Sequence, residues 1–198
     1  MKGRFIIIFL IIVFTVDCYA AKKEVSKEIV SPEKEVVLTG LDVLKKSDYH
    51  ILKNKRVGLI TNNTGVDAYG ESAIDLIYNS KDVKLIRLFS PEHGIRGEAD
   101  EKVNDQIDDK TSLQIISLYG KNYKPTPENL KDIDVLVYNI QDVGCRFYTY
   151  LGTLFYCMQA AADKSIEFVV LDRPNPVNGV NVSGFIPDST MINKLTSI

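Results

Sequence analysis

DVLVYNIQDVGCRFYTYLGTLFYCMQAAADKSIEFVVL, residues 134–171, decides the fold class. Asp134 to Ile140 is a short run rich in Val, Leu and Ile, the pattern of a strand buried on both faces. Tyr150 to Asp163 is apolar and long enough for a helix, and Phe168 to Leu171 is a second buried strand. Outward from this unit the same alternation recurs. Arg56 to Thr61 (RVGLIT), Val83 to Phe89 (VKLIRLF) and Leu113 to Leu118 (LQIISL) predict three more strands. Leu41 to Lys46 and Glu71 to Tyr78 predict helices, the second with Ile74, Ile77 and Tyr78 on one face. Thr126-Pro127-Glu128 predicts the opening of a short helix, with Thr as cap and Pro in the first turn. Buried strands alternating with helices imply an α/β fold, a mainly parallel sheet with helices on both faces. Residues 90–110 are the exception, a long polar stretch of the kind that compact domains keep for function.

The N-terminus reads differently. Lys2 and Arg4 precede an apolar run from Phe5 to Phe14, and Cys18-Tyr19-Ala20 offers small residues for a cut after Ala20. This is the order of a secretory signal peptide, residues 1–20, and predicts export to the periplasm or beyond the cell. A membrane span needs ~20 apolar residues, so no membrane partner is expected once the signal is removed. Residues 21–35, rich in Lys, Glu and Ser, read as a flexible tether, and an ordered domain is expected over 36–184. The charge is nearly balanced, −2 from 24 basic and 26 acidic residues. No basic stripe offers to neutralise phosphates, which argues against a nucleic-acid partner. Cys145 and Cys157 remain after the signal, too few for a disulfide framework, and are read as two isolated small core residues.

In an open α/β sheet, ligands bind beyond the carboxyl ends of the strands. Those positions hold Asn62-Asn63-Thr64-Gly65, Ser90-Pro91-Glu92-His93-Gly94-Ile95-Arg96-Gly97, Gln141 to Tyr150 and Asp172-Arg173-Pro174-Asn175-Pro176. Neither G-x-G-x-x-G nor G-x-x-x-x-G-K-[ST] occurs, which disfavours nucleotide binding, and no G-x-S-x-G elbow supports a serine hydrolase. His50 and His93 are the only histidines, so no His-rich metal site is expected, and no cofactor is implied. What remains is carboxylates with amides, arginines and tyrosines, the composition of a sugar site. Glu92 has two readings from spacing alone: a buried general acid, or a loop ion pair with Arg96. Asp142 reads as a cap for the following helix paired with Arg146, or as a second catalytic carboxylate. Tyr148 and Tyr150 either pack or stack on a sugar ring. Asp172 and Arg173 form a strand-end salt bridge, or Arg173 orients a substrate carboxylate. His93 is a hydrogen-bonded loop residue or a proton shuttle.

GLDVL (40–44), KRVGLITNNTGVD (55–67), FSPEHGIRGEAD (89–100), SLYG (117–120), PTPENL (125–130), the 134–151 block and VVLDRPNPVNG (169–179) carry a resemblance. In these blocks the chain resembles the exo-β-N-acetylmuramidase family of bacterial cell-wall recycling. The resemblance implies a Rossmann-like domain and release of N-acetylmuramic acid from the non-reducing end of peptidoglycan fragments. It places Glu92 at the family's proposed catalytic acid. The muramic lactyl carboxylate gives Arg146 or Arg173 a group to hold. Asn63 stands where the family has Gln, and Cys145 where a small residue such as Ala is usual. The resemblance fades after Gly184, so 185–198 is expected to be a truncated tail and the family's C-terminal domain to lie outside this chain. The alternatives carried forward are a non-catalytic module that binds peptidoglycan fragments, an inactive remnant, and a phosphate- or metal-dependent enzyme on the same sheet.

Overall fold

The computed structural model describes residues 37–91, 94–96, 106–120, 122–186 and 188–191. The expected signal peptide and tether lie outside these residues, as do Glu92 and His93. In chain order the elements are α1 (Gly40–Lys46), a 3-10 turn (His50–Leu52), β1 (Arg56–Thr61), α2 (Ala73–Tyr78), β2 (Lys84–Ser90), β3 (Gln106–Ile107) and β4 (Gln114–Ser117). β5 (Val135–Asn139), α3 (Tyr150–Asp163), β6 (Glu167–Val170) and a last 3-10 turn (Ser189–Met191) follow.

The strands form one six-stranded sheet in the order β3-β4-β2-β1-β5-β6. All pairs are parallel except β3 with β4. The expected α/β class with a mainly parallel sheet is therefore what the chain forms. All five predicted strands are present to within a residue at each end. β3 was not foreseen. Its two residues are exposed and pair only through their backbone, so no apolar pattern marks them.

Alternate residues of each strand point to opposite faces, and both faces are covered. Val57, Leu59, Val135 and Val137 pack with Leu41 and Leu44 of α1 and with Ala73, Ile74 and Ile77 of α2. Ile60, Leu136 and Tyr138 pack with Cys157, Ala160 and Ala161 of α3. Gly58 falls on this second face. A Cβ there would come within 2.7 Å of Ile133 and 3.0 Å of Phe89, so the glycine makes room for its neighbours' side chains. Cys145 and Cys157 are unpaired, as expected.

Two expectations are corrected. Tyr78 is 44% exposed, and Ala73 takes its place on the buried face of α2. Thr126 does cap: its hydroxyl accepts from Asn129 N, and Asn129 Oδ1 accepts from Thr126 N. The backbone then closes one turn at Leu130 and stops, because Asp132 takes φ +68 as the chain swings into β5. Residues 127–132 are turns rather than a helix.

α1 starts where it does for two reasons. Thr39 and Asp42 form a reciprocal capping box. Gly40 N donates to Asp172 O at 2.7 Å, and a Cβ on Gly40 would strike the backbone of Leu171 and Asp172. The helix is thereby docked onto the end of β6.

Candidate functional site

The strand order fixes where a ligand can enter. From β1 the chain builds outward through β2 and β4, then returns to the other side of β1 for β5 and β6. The reversal lies between β1 and β5, and the crevice of an open sheet forms at the carboxyl ends of such a pair. Thr61 Oγ1 ties the two ends together by donating to Asn139 O at 2.8 Å. The turn that follows β1 folds back over this point. A Cβ on Gly65 would collide with the Thr61 hydroxyl and Asn139 O, so only glycine lets the turn lie this close.

Asn62 is buried and occupied. Its Oδ1 accepts from Thr64 N at 3.0 Å and Thr64 Oγ1 at 2.6 Å, and its Nδ2 donates to the Tyr150 hydroxyl at 3.1 Å. Tyr150 is buried with it, and its carbonyl accepts from Tyr138 OH. These two expected substrate residues form the wall of the crevice. Asn63 beside them is exposed. Gln141 N donates to Thr64 Oγ1, and its side-chain amide donates to Asp142 O and Pro174 O. Gln141 thus joins the loops after β1, β5 and β6.

Asp142 does not cap α3, and it forms no ion pair with Arg146. Its Oδ1 accepts from Gly144 N at 2.7 Å, a local turn, while Oδ2 is buried with no hydrogen-bond partner. α3 opens instead at Thr149, which makes no side-chain cap. Gly144 has φ +71 and lies against the Asn175 amide, where a side chain would not fit. Arg146 is exposed, and its Nη1 donates to Phe185 O. Tyr148 is 39% exposed and edges against Tyr150 at 5.3 Å and Phe147 at 6.4 Å. A small cleft of about 150 Å³ is lined by Gln141, Asp142, Gly144, Asp172, Arg173 and Asn175, with apolar walls from α3 and β6.

Asp172 is exposed and accepts from Arg173 N at 2.9 Å; the two side chains form no salt bridge. Arg173 is half-buried. Its Nε donates to Asn139 Oδ1 at 3.0 Å and its Nη2 to Val66 O, so it spans the crevice from β6 to the loop after β1. Burial pushes its guanidinium below the ordinary arginine value, with the Asp42 charge acting the other way. Asn139, fully buried, was not foreseen, and its Nδ2 has no partner. Its only mark in the sequence is a polar residue inside an otherwise apolar strand.

Arg96 stands apart from these residues. It donates to Asp108 at 2.6 Å and 3.0 Å and to Asp75 at 3.0 Å. Asp108 accepts further from Thr111 N and Oγ1, and the Arg96 guanidinium beside it holds its carboxyl down at about 2. Arg96 thus pins its loop to α2 and to the β3–β4 turn. Glu92 and His93 lie outside the described residues; the loop that carries them leaves β2 at Ser90 and Pro91, both buried. Among the described residues no group of three or more His, Cys, Asp or Glu is placed to hold a metal ion.

Comparison with known proteins covers most of this rim. The chain is 50% identical over 154 residues to the peptidoglycan β-N-acetylmuramidase NamZ of Bacillus subtilis (strain 168), matching 77% of this chain and 37% of that protein. Two crystal structures of DUF1343 family proteins from Bacteroides fragilis NCTC 9343 superpose with TM-scores of 0.75 and 0.69. They are 48% and 35% identical, over 80% and 81% of this chain and 40% and 41% of theirs. The chain thus spans about two-fifths of the length of these relatives. A family model described as exo-β-N-acetylmuramidase NamZ, N-terminal, matches residues 57–196, which runs past Gly184, where the resemblance was expected to fade. By that match this chain belongs to the exo-β-N-acetylmuramidase NamZ family, in the part the family defines as N-terminal.

Proposed function

We propose that this chain is the rim-bearing part of an exported glycosidase that releases N-acetylmuramic acid from the non-reducing end of peptidoglycan fragments. The observation that carries the reading is 50% identity to a peptidoglycan β-N-acetylmuramidase over 77% of the chain. The rim supports it with amides, a tyrosine edge and an arginine gathered over the β1/β5 crevice.

In this reading Glu92 is the general acid that protonates the departing glycosidic oxygen. Glu92 follows β2, the neighbour of β1, by two residues in sequence. Asp142 has a buried Oδ2 with no partner and is held by Gly144 N, which suits it to accept from a substrate hydroxyl or an attacking water. Tyr148 offers an exposed ring edge to a sugar face. His93 is kept as a proton carrier beside Glu92.

The test is release of the aglycone from an aryl N-acetylmuraminide by the purified chain. Glu92→Gln keeps the shape and removes the proton, and is expected to lower the rate about a hundredfold or more. Full activity in that variant would remove Glu92 from the acid's role. Saturable binding of the muraminide with no release by the unaltered chain would make the protein a binding module.

A further inference from the structure

The arginines of the described residues are not used alike. Arg56 is paired with Asp132 and Asp134, and Arg96 with Asp75 and Asp108. Arg87, in mid-strand, gives Nη1 to the carbonyls of Asn129 and Lys131. Arg146 is exposed on the surface. Arg173, like Arg87, is half-buried with only neutral acceptors among the described residues, but it lies at the crevice and lines its cleft, which Arg87 does not. Its two partners, Asn139 Oδ1 and Val66 O, are neutral acceptors.

A half-buried charge with no directly paired carboxylate is costly, and the through-space attraction of Asp42 is smaller than the effect of burial. Here the fold retains it and clamps it. Two acceptors, one at the end of β5 and one in the loop after β1, hold Nε and Nη2 and so set the plane of the guanidinium. No described residue accepts a hydrogen bond from Nη1, and Arg173 lines the cleft together with Asp142, Gly144 and Asn175. Asn139 is itself fully buried, with its Nδ2 orphaned beneath this point. A clamped fork with a free edge is the geometry that takes a carboxylate.

We propose that Arg173 is the specificity-determining anchor for a ligand carboxylate, with Asn139 as its positioning residue. In the muramidase reading, on which the identity of the ligand rests, that carboxylate belongs to the lactyl ether of the muramyl sugar. Arg173 is then what distinguishes a muramyl from a glucosaminyl residue. Arg146, the other arginine offered for this role by the sequence, sits on the surface and donates to the Phe185 carbonyl instead.

The experiment is titration of the full chain with N-acetylmuramic acid, N-acetylglucosamine and D-lactate, read by affinity and by the Nε–Hε resonance of Arg173. The unaltered protein is expected to prefer the muramyl sugar by about tenfold or more, the scale of one charge-assisted hydrogen bond. Arg173→Met is expected to abolish the preference and Arg173→Lys to keep part of it. Asn139→Asp supplies an internal counter-ion and is expected to weaken muramyl binding with Arg173 still present. Thermal unfolding of each variant separates these effects from misfolding. An unchanged preference in folded Arg173→Met and Asn139→Asp overturns the anchor and leaves the muramyl reading standing. Lactate shifting the Arg173 resonance while neither sugar binds keeps the anchor and overturns the muramyl reading. No response to any of the three ligands overturns the anchor itself.

Discussion

Asn62 occupies a position where a substrate contact and a structural contact look the same in sequence. Its side chain makes three hydrogen bonds, two to Thr64 and one to the Tyr150 hydroxyl. All are buried or nearly so, and truncation would strand the Thr64 amide. Asn62→Ala is expected to lower stability by about 1–3 kcal/mol in urea denaturation, the usual cost of an unsatisfied buried group. A stability equal to that of the unaltered chain would return Asn62 to the role of a pure ligand contact. The same ambiguity surrounds Arg96. SPEHGIRG puts it next to Glu92 in sequence, but its partners Asp75 and Asp108 are 21 and 12 residues away. No local spacing could announce that meeting. Arg173 was legible as one of two readings, because an arginine at a strand's carboxyl end is already in the right place. What the sequence could not show is that Asp172 leaves it unpaired.

At the level of elements, Asp108 is the bolt between the Arg96 loop, α2 and the start of β4. Its carboxyl is ordinarily at 3.8 and is held at about 2 in the folded chain, first by Arg96 and then by Thr111 against the opposing effect of burial. A group whose folded value is depressed stabilises the fold above its unfolded value and stops doing so as pH falls through its folded value. The contribution is thus full above about pH 5 and lost between pH 4 and 2, and amounts to about 2 kcal/mol. Asp108→Asn is expected to lose about that much at neutral pH. Its stability is also expected to vary less than the unaltered chain's between pH 4 and 2, as read by urea midpoints. Parallel pH profiles for the two proteins would mean that Asp108 does not carry this ion pair's stability. The elements themselves were mostly plain in the sequence. An apolar run between polar turns marks β1, β2, β4, β5 and β6, and α3 is bounded as predicted. The helix expected at Thr126 has its cap but not its length, because Asp132 in a left-handed conformation ends the turn. Capping residues mark where a helix can start, and the following strand decides whether it continues.

Over the whole molecule, the feature least visible in the sequence was the strand order, and with it the crevice. Parallel pairing of β1 with β5 joins residues such as Val57 and Val135, far apart in the chain. The apolar runs specify that strands exist, not which neighbour each takes. Once the order is known, the polar loops after β1, β5 and β6 come together over one gap, and Gln141 and Arg173 bridge it. The body built on this sheet begins at a definable place. Its first described residue is Val37. The first tertiary ties of the described chain are Gly40 N to Asp172 O and Asp42 Oδ1 to Ala68 N. We propose that export removes residues 1–20, so the mature protein is expected to begin at Ala21 by intact-mass measurement of the secreted form. We propose likewise that residues 21–35 are a tether, so the mature protein's melting temperature is expected to match that of a chain starting at Val37 within about 1 °C. A chain starting at Val43 loses the capping box, the Gly40 tie and the buried Asp42 together. At about 1 kcal/mol for a lost cap and 1–3 kcal/mol for an orphaned buried amide, it is expected to melt at least 5 °C lower. A mature protein that still carries Met1, or a Val43 start that melts with the others, would separate the export signal or α1 from the roles assigned to them.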